Sequence, residues 1–172
     1  MTKKRGALAG GAAFIAVLTL VLAISVLPSA AQTPPPPPPI ATEFLTSRAV
    51  FTDDVDTKFK IKMDGRKTTV VKDKNPSRTV VARFTVQPGA QFPWHSHPGP
   101  VIVNIVSGEL TYLPAHDCVE RRYGAGTAFV DPGHGHTHTA WNATGGVTVF
   151  VATFLAAPAT GPLLIPATQG CP

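Results

Sequence analysis

Five of the six histidines fall in two short runs, His95 and His97 in QFPWHSHPGP and His134, His136 and His138 in DPGHGHTHTAWN. Neutral imidazole is the commonest side-chain ligand for divalent transition metals. Alternate side chains of an extended strand share a face, so His95 and His97 can offer two rings to one ion, and His138 completes a tripod from a neighbouring strand. Three imidazoles leave coordination positions open and the charge of the ion unneutralised. That suits an anionic chelator such as a thiolate, enolate or carboxylate, with the ion as Lewis acid or oxygen carrier. The plain alternative for His95 and His97 is a pair beside a turn that only caps or hydrogen-bonds, and for His134 and His136 a surface tract with weak metal affinity. His116 reads as a loop residue.

The spacing around these histidines resembles that of the cupin family. Gly89, His95, His97 and Gly108 fall in register with the family's first motif, and Val101 takes the slot where a glutamate ligand usually stands. Gly126, Pro132, Gly135, His138 and Asn142 follow the second motif with one extra residue between Pro132 and Gly135. The extra residue leaves a choice between His138 and His136; His138 is preferred because it alone stands the expected distance before Asn142. The resemblance covers roughly Arg78 to Leu155. It implies an all-β, double-stranded β-helix (jelly-roll) barrel around one divalent ion, iron, zinc, nickel or manganese, and Phe92, Val101 and Asn142 are expected to line the pocket. It also implies a small-molecule ligand or substrate, with oxygenase or isomerase and lyase chemistry as the catalytic options and a homodimer left open. Proteins similar to cysteine dioxygenase also lack the glutamate and use three histidines.

Strands must position these residues, since no segment from Ala41 onward carries a helical period. Lys58 to Met63 alternates polar and apolar, and Val80, Ala82, Phe84 and Val86 share one side of a second strand. Val101 to Val106 and Val147 to Leu155 are apolar in both phases and are expected to be the most buried, ended by turns at Ser107-Gly108-Glu109 and Ala143 to Gly146. Close, regular spacing of such strands points to a sandwich or a closed barrel.

Around the motifs, Phe92, Trp94 and Trp141 are either pocket walls or core. Glu109 and Glu120 are the carboxylates considered for the absent ligand, and neither is assigned. Arg121, Arg122 and Tyr123 read as a solvated strand face rather than an anion site. Cys118 and Cys171 are the two cysteines, and their even number in an exported chain points to a disulfide.

Export is expected from the N-terminus. Lys3-Lys4-Arg5 precedes an apolar stretch from Ala7 to Leu27, closed by Pro28 and the small residues Ser29, Ala30 and Ala31. Residues 1–31 therefore read as a signal peptide, with a membrane tether through residues 7–27 as the alternative, because that stretch is long enough to span a bilayer. Residues 32–42, with prolines from Pro34 to Pro39, read as an extended linker, and residues 43–172 as the barrel. The location is then secreted or extracytoplasmic, in the periplasm or cell envelope. The formal charge of +5 owes three cations to the first five residues. The remaining lysines lie mostly between Lys58 and Lys74 among Asp53, Asp54, Asp56, Asp64 and Asp73. That mixture reads as a solvated face and excludes nucleic acid as the expected partner.

Overall fold

The computed structural model describes residues 39–63, 67–76 and 78–172. The segment expected to direct export and most of the proline run lie outside the described residues. Among those residues every regular element is a strand. They are β1 (Ile40–Phe44), β2 (Ala49–Val50), β3 (Asp56–Ile61), β4 (Thr69–Lys74), β5 (Arg78–Val86), β6 (His95–Ser96), β7 (Val101–Ser107), β8 (Glu109–Pro114), β9 (Arg121–Gly124), β10 (Ala128–Asp131), β11 (His138–Trp141), β12 (Thr148–Phe154) and β13 (Ile165–Pro166). β1 thus takes Ile40, Ala41 and Thr42 from the stretch expected as linker. No described helix is long and apolar enough to cross a membrane.

The strands form two sheets and a separate hairpin. One sheet runs β1-β5-β12-β7-β10, with β2 also on β5, and the other runs β13-β6-β11-β8-β9. The core lies between them: Ala82, Phe84 and Val86 from β5, Phe150 from β12 and Val103 from β7 meet Leu110 of β8 and Ala140 of β11. The Phe84 and Phe150 rings stack at 4.9 Å. This two-sheet jelly roll is the double-stranded β-helix expected from the motifs.

The alternation of β5 holds, with Val80, Ala82, Phe84 and Val86 all buried. β7 and β12 differ from expectation, because neither is buried on both faces. Val101, Val103 and Ile105 point into the core, whereas Asn104 is exposed and Val106 is 59% exposed. In β12, Thr148, Phe150, Ala152 and Phe154 are buried, and Val149, Val151 and Thr153 are only half-buried. The outer valines reflect the fit of β-branched side chains to a pleated surface, which needs no second layer.

The hairpin β3–β4 also corrects the sequence reading. Asp73 turns inward, 8% exposed, and its carboxylate lies 2.7 Å from His134 Nε2. Acidic and basic residues therefore do not alternate over one solvated face. Beneath the ribbon, Ile61 and Met63 share a crevice with His116, Asp117 and Pro132.

After β12 the chain returns across the barrel. Arg48 donates to the carbonyls of Pro158 and Gly161. Ile165 and Pro166 pair with Ser96 and His95, Ala167 N donates to Trp94 O at 3.0 Å, and Cys171 forms a disulfide with Cys118, 53 residues earlier. The two half-cystines stand 5.7 Å apart at Cα, inside the usual range for such a bridge. Beside Cys118, Asp117 accepts two hydrogen bonds from the buried Arg121 guanidinium, and this pairing holds the carboxyl down at about 2.

Candidate metal centre

His95 and His138 occupy paired positions on the adjacent strands β6 and β11, and His97 follows β6 on the same face as His95. All three are at most 5% exposed. One ligand atom from each lies within 4.8 Å of the others, and the ring centroids are 4.3 Å (His95 to His138), 4.8 Å (His95 to His97) and 5.1 Å (His97 to His138) apart.

A close backbone contact joins the two histidine segments. His134 N donates to His97 O at 2.9 Å, and a Cβ on Gly133 would lie only 2.0 Å from the Gly99 carbonyl oxygen, so no side chain fits there. Gly133, His134 and Gly135 have φ of 64°, 50° and 80°. This left-handed run absorbs the extra residue of the second motif. It sends His134 to Asp73 and lets β11 begin on His138 with its ring inward. His136 stays outside the cluster, half-buried, its ring 6.3 Å from that of His116. The tripod is therefore His95, His97 and His138, not His136.

The outer nitrogen of each ring has an oxygen partner. His95 Nδ1 lies 2.7 Å from Pro93 O, His97 Nδ1 lies 2.8 Å from Leu163 O, and His138 Nδ1 lies 3.1 Å from Asp131 Oδ2. A carbonyl oxygen only accepts, so Nδ1 of His95 and His97 carries the proton, and Nε2 keeps its lone pair. Outer partners of this kind fix ring orientation and raise ligand basicity at metal sites. Burial, aided by the neighbouring His138 and His97, pushes His95 down to about 3, and burial pushes His97 down as well. Both rings are neutral near pH 7, the form that binds metal.

Asp131 is the residue that the sequence reading missed. It is 1% exposed, accepts from Gly133 N at 2.8 Å and from the Tyr112 hydroxyl at 2.7 Å, and reaches His138 with the same oxygen as Tyr112. Glu109 and Glu120, the carboxylates considered instead, do not border the cavity. The signal was present, since Asp131 sits directly before Pro132 inside the second motif. Tyr112, 1% exposed, has its phenol raised well above its ordinary value by burial and then by Asp131.

The rings face a small cavity of about 40 Å³, walled by Phe92, Val101, Leu110, Phe129 and Phe154 with Tyr112 and Asp131 at the histidine end. Phe92 and Val101 stand where the motifs suggest. Asn142 does not line the space; its amide donates to Val86 O and Gly146 O and its oxygen accepts from Thr144, so the whole side chain ties the turn before β12. Trp94 and Trp141 are half-buried and do not line the cavity either.

The donor set fits a divalent ion: three imidazoles cluster, each held from behind, and one buried carboxylate supplies a compensating charge. Replacing Asp131 by asparagine keeps an acceptor near His138 but removes that charge. Metal affinity is expected to fall about 10–100-fold with the fold intact. Isothermal titration together with circular dichroism checks this, and unchanged affinity would reduce Asp131 to a structural acceptor.

A two-sheet barrel with three inward histidines, on and directly after paired strands, defines a double-stranded β-helix protein with a group positioned to hold a metal ion. Residues 82–154 match the family model described as a cupin domain, so the chain carries a cupin domain. Solved structures similar to it include an RmlC-like cupin from Shewanella frigidimarina (23% identity, 47% of this chain and 68% of that one, TM-score 0.41). Others are the polyketide cyclase RemF from Streptomyces resistomycificus (16%, 76% and 81%, 0.47) and KdgF from a Halomonas species (18%, 72% and 84%, 0.46). No curated protein matches the sequence.

Proposed function

We propose that this cupin domain holds one divalent metal ion on Nε2 of His95, His97 and His138 and uses it to bind a small anionic molecule in the cavity, outside the cytoplasm. The observation that carries this reading is the anchoring of all three outer nitrogens in a group whose ligand atoms lie within 4.8 Å of one another. When bound, the ion supplies Lewis acidity, or an oxygen-binding position if it is iron. The chain supplies the rest. The phenylalanine walls limit the access of water, and the Tyr112–Asp131 pair holds a proton at the histidine end that can be shared with a bound anion. Export through residues 1–31 agrees with the disulfide, which persists in oxidising compartments.

Catalysis and simple capture differ in the fate of the bound molecule. Tyr112 and Asp131 are bonded to each other rather than aimed apart, which keeps a non-catalytic ligand- or metal-binding module as the second reading. Protein purified without a histidine tag should contain one divalent ion per chain by elemental analysis. The loaded form should bind thiolate, enolate or carboxylate chelators, and turnover or oxygen uptake with any of them selects the enzyme. Protein that stays metal-free, with unchanged thermal stability after iron, zinc, nickel or manganese is added, would overturn both readings.

Val101 lines the cavity and pairs across the strands with Asp131. Val101→Glu places a fourth donor near the rings. Metal affinity should rise about tenfold, equivalent to about 1.4 kcal/mol, while the metal-free form loses stability because two carboxylates then crowd one buried site. Thermal melts with and without metal separate the two effects. Loss of stability in both forms would mean that Val101 serves packing alone.

A further inference from the structure

Beyond residue 5, every lysine of the chain lies between Lys58 and Lys74. In β3 the side chains of Asp56, Lys58 and Lys60 are exposed while Thr57, Phe59 and Ile61 turn toward the barrel; Lys62 continues the outward phase. In β4 Val70, Lys72 and Lys74 are exposed while Val71 and Asp73 are buried. The outer face of the ribbon thus carries Lys58, Lys60, Lys62, Lys72 and Lys74 against the single carboxylate of Asp56, which accepts from Asn75 N. None of the five lysines pairs with a carboxylate among the described residues.

The register sharpens the point, because Lys58 stands directly opposite Lys72. Like charges at facing positions destabilise a strand pair, and a face that served solubility alone would intersperse the two signs. Alternate residues repeat every ~7 Å along a strand, with the next strand ~5 Å away, so the ammonium groups form a flat grid of point charges. The described outer face has no aromatic ring on which a base could stack and no guanidinium fork for bidentate phosphate contacts, which disfavours nucleic acid. Val70, 49% exposed among the lysines, adds an apolar contact suited to a bilayer interface.

We propose that the outer face of the β3–β4 ribbon docks on an anionic phospholipid surface. Each lysine near such a surface contributes about a fivefold preference, so the grid adsorbs reversibly and releases at high salt. The test mixes the full chain with excess vesicles of phosphatidylcholine, alone or with phosphatidylglycerol, and reads the acylation rate of each lysine by mass spectrometry. Lys58, Lys60, Lys72 and Lys74 should react several-fold more slowly with the anionic vesicles at low salt than with the neutral ones, and recover at high salt. The neutral vesicles control for any insertion of the N-terminal segment. Equal rates with both vesicle types would overturn the proposal, as would protection by duplex DNA without protection by phosphatidylglycerol.

Discussion

His138→Ala abolishes stoichiometric metal binding, and His136→Ala leaves it nearly unchanged. That contrast is the expected result of a turn that leaves His136 out of the cluster and brings His138, two residues later, into it. His138 starts β11, sits within reach of His95 and His97 and is held from behind by Asp131. His136 lies outside beside His116. Removing a ligand should cost more than the 10–100-fold typical of losing an outer partner. It should also remove the stabilisation that metal gives, about 2.7 kcal/mol when metal is present at a hundred times its Kd. Elemental analysis and metal-dependent melting read both quantities. Retention of metal by the His138 variant, or its loss from the His136 variant, would require a different ligand set.

Loss of the Cys118–Cys171 bridge should lower stability by about 2–4 kcal/mol, because the bond closes a long loop in the unfolded chain. For a domain of this size the melting temperature should fall on the order of 10 °C. Replacing both cysteines by serine avoids a free thiol and isolates the bridge. The effect should reach the metal centre, since the tethered tail supplies the Leu163 carbonyl behind His97 and the strand β13 beside β6. Melting and metal titration of the double variant give the two numbers. Two thiols alkylatable in the native, oxidised protein would show that the bridge does not form.

Much of this was legible in the sequence because strands and metal ligands both depend on a period of two. Val80, Ala82, Phe84 and Val86 declare a buried face by alternation alone, and His95 and His97 declare a shared one. Their distance from Gly89 and Gly108 then selects the barrel. What lay beyond reach depends on partners distant in the chain. Nothing near His97 announces that its outer nitrogen meets the carbonyl of a residue 66 positions later, and a backbone oxygen has no residue type to read. Asp131 is not legible as part of the site because it stands outside the glutamate's slot and acts through His138. Asn142 was placed in the pocket by its motif position, but it serves the turn that sets up β12. The outward valines of β7 misled because hydrophobicity in both phases does not require a covering layer.

The position of Leu163 and Cys171 bears on when the centre can exist during biosynthesis. A chain made from its N-terminus has all three histidines once residue 138 has emerged. It lacks the carbonyl that orients His97, the strand that flanks β6 and the half-cystine that pins the tail until Leu163, β13 and Cys171 have followed. A chain that stops short of Leu163 therefore carries every ligand but leaves His97 without its outer partner. The full geometry belongs only to a chain extended through Cys171 and oxidised, so selective metal loading follows the arrival of this tail.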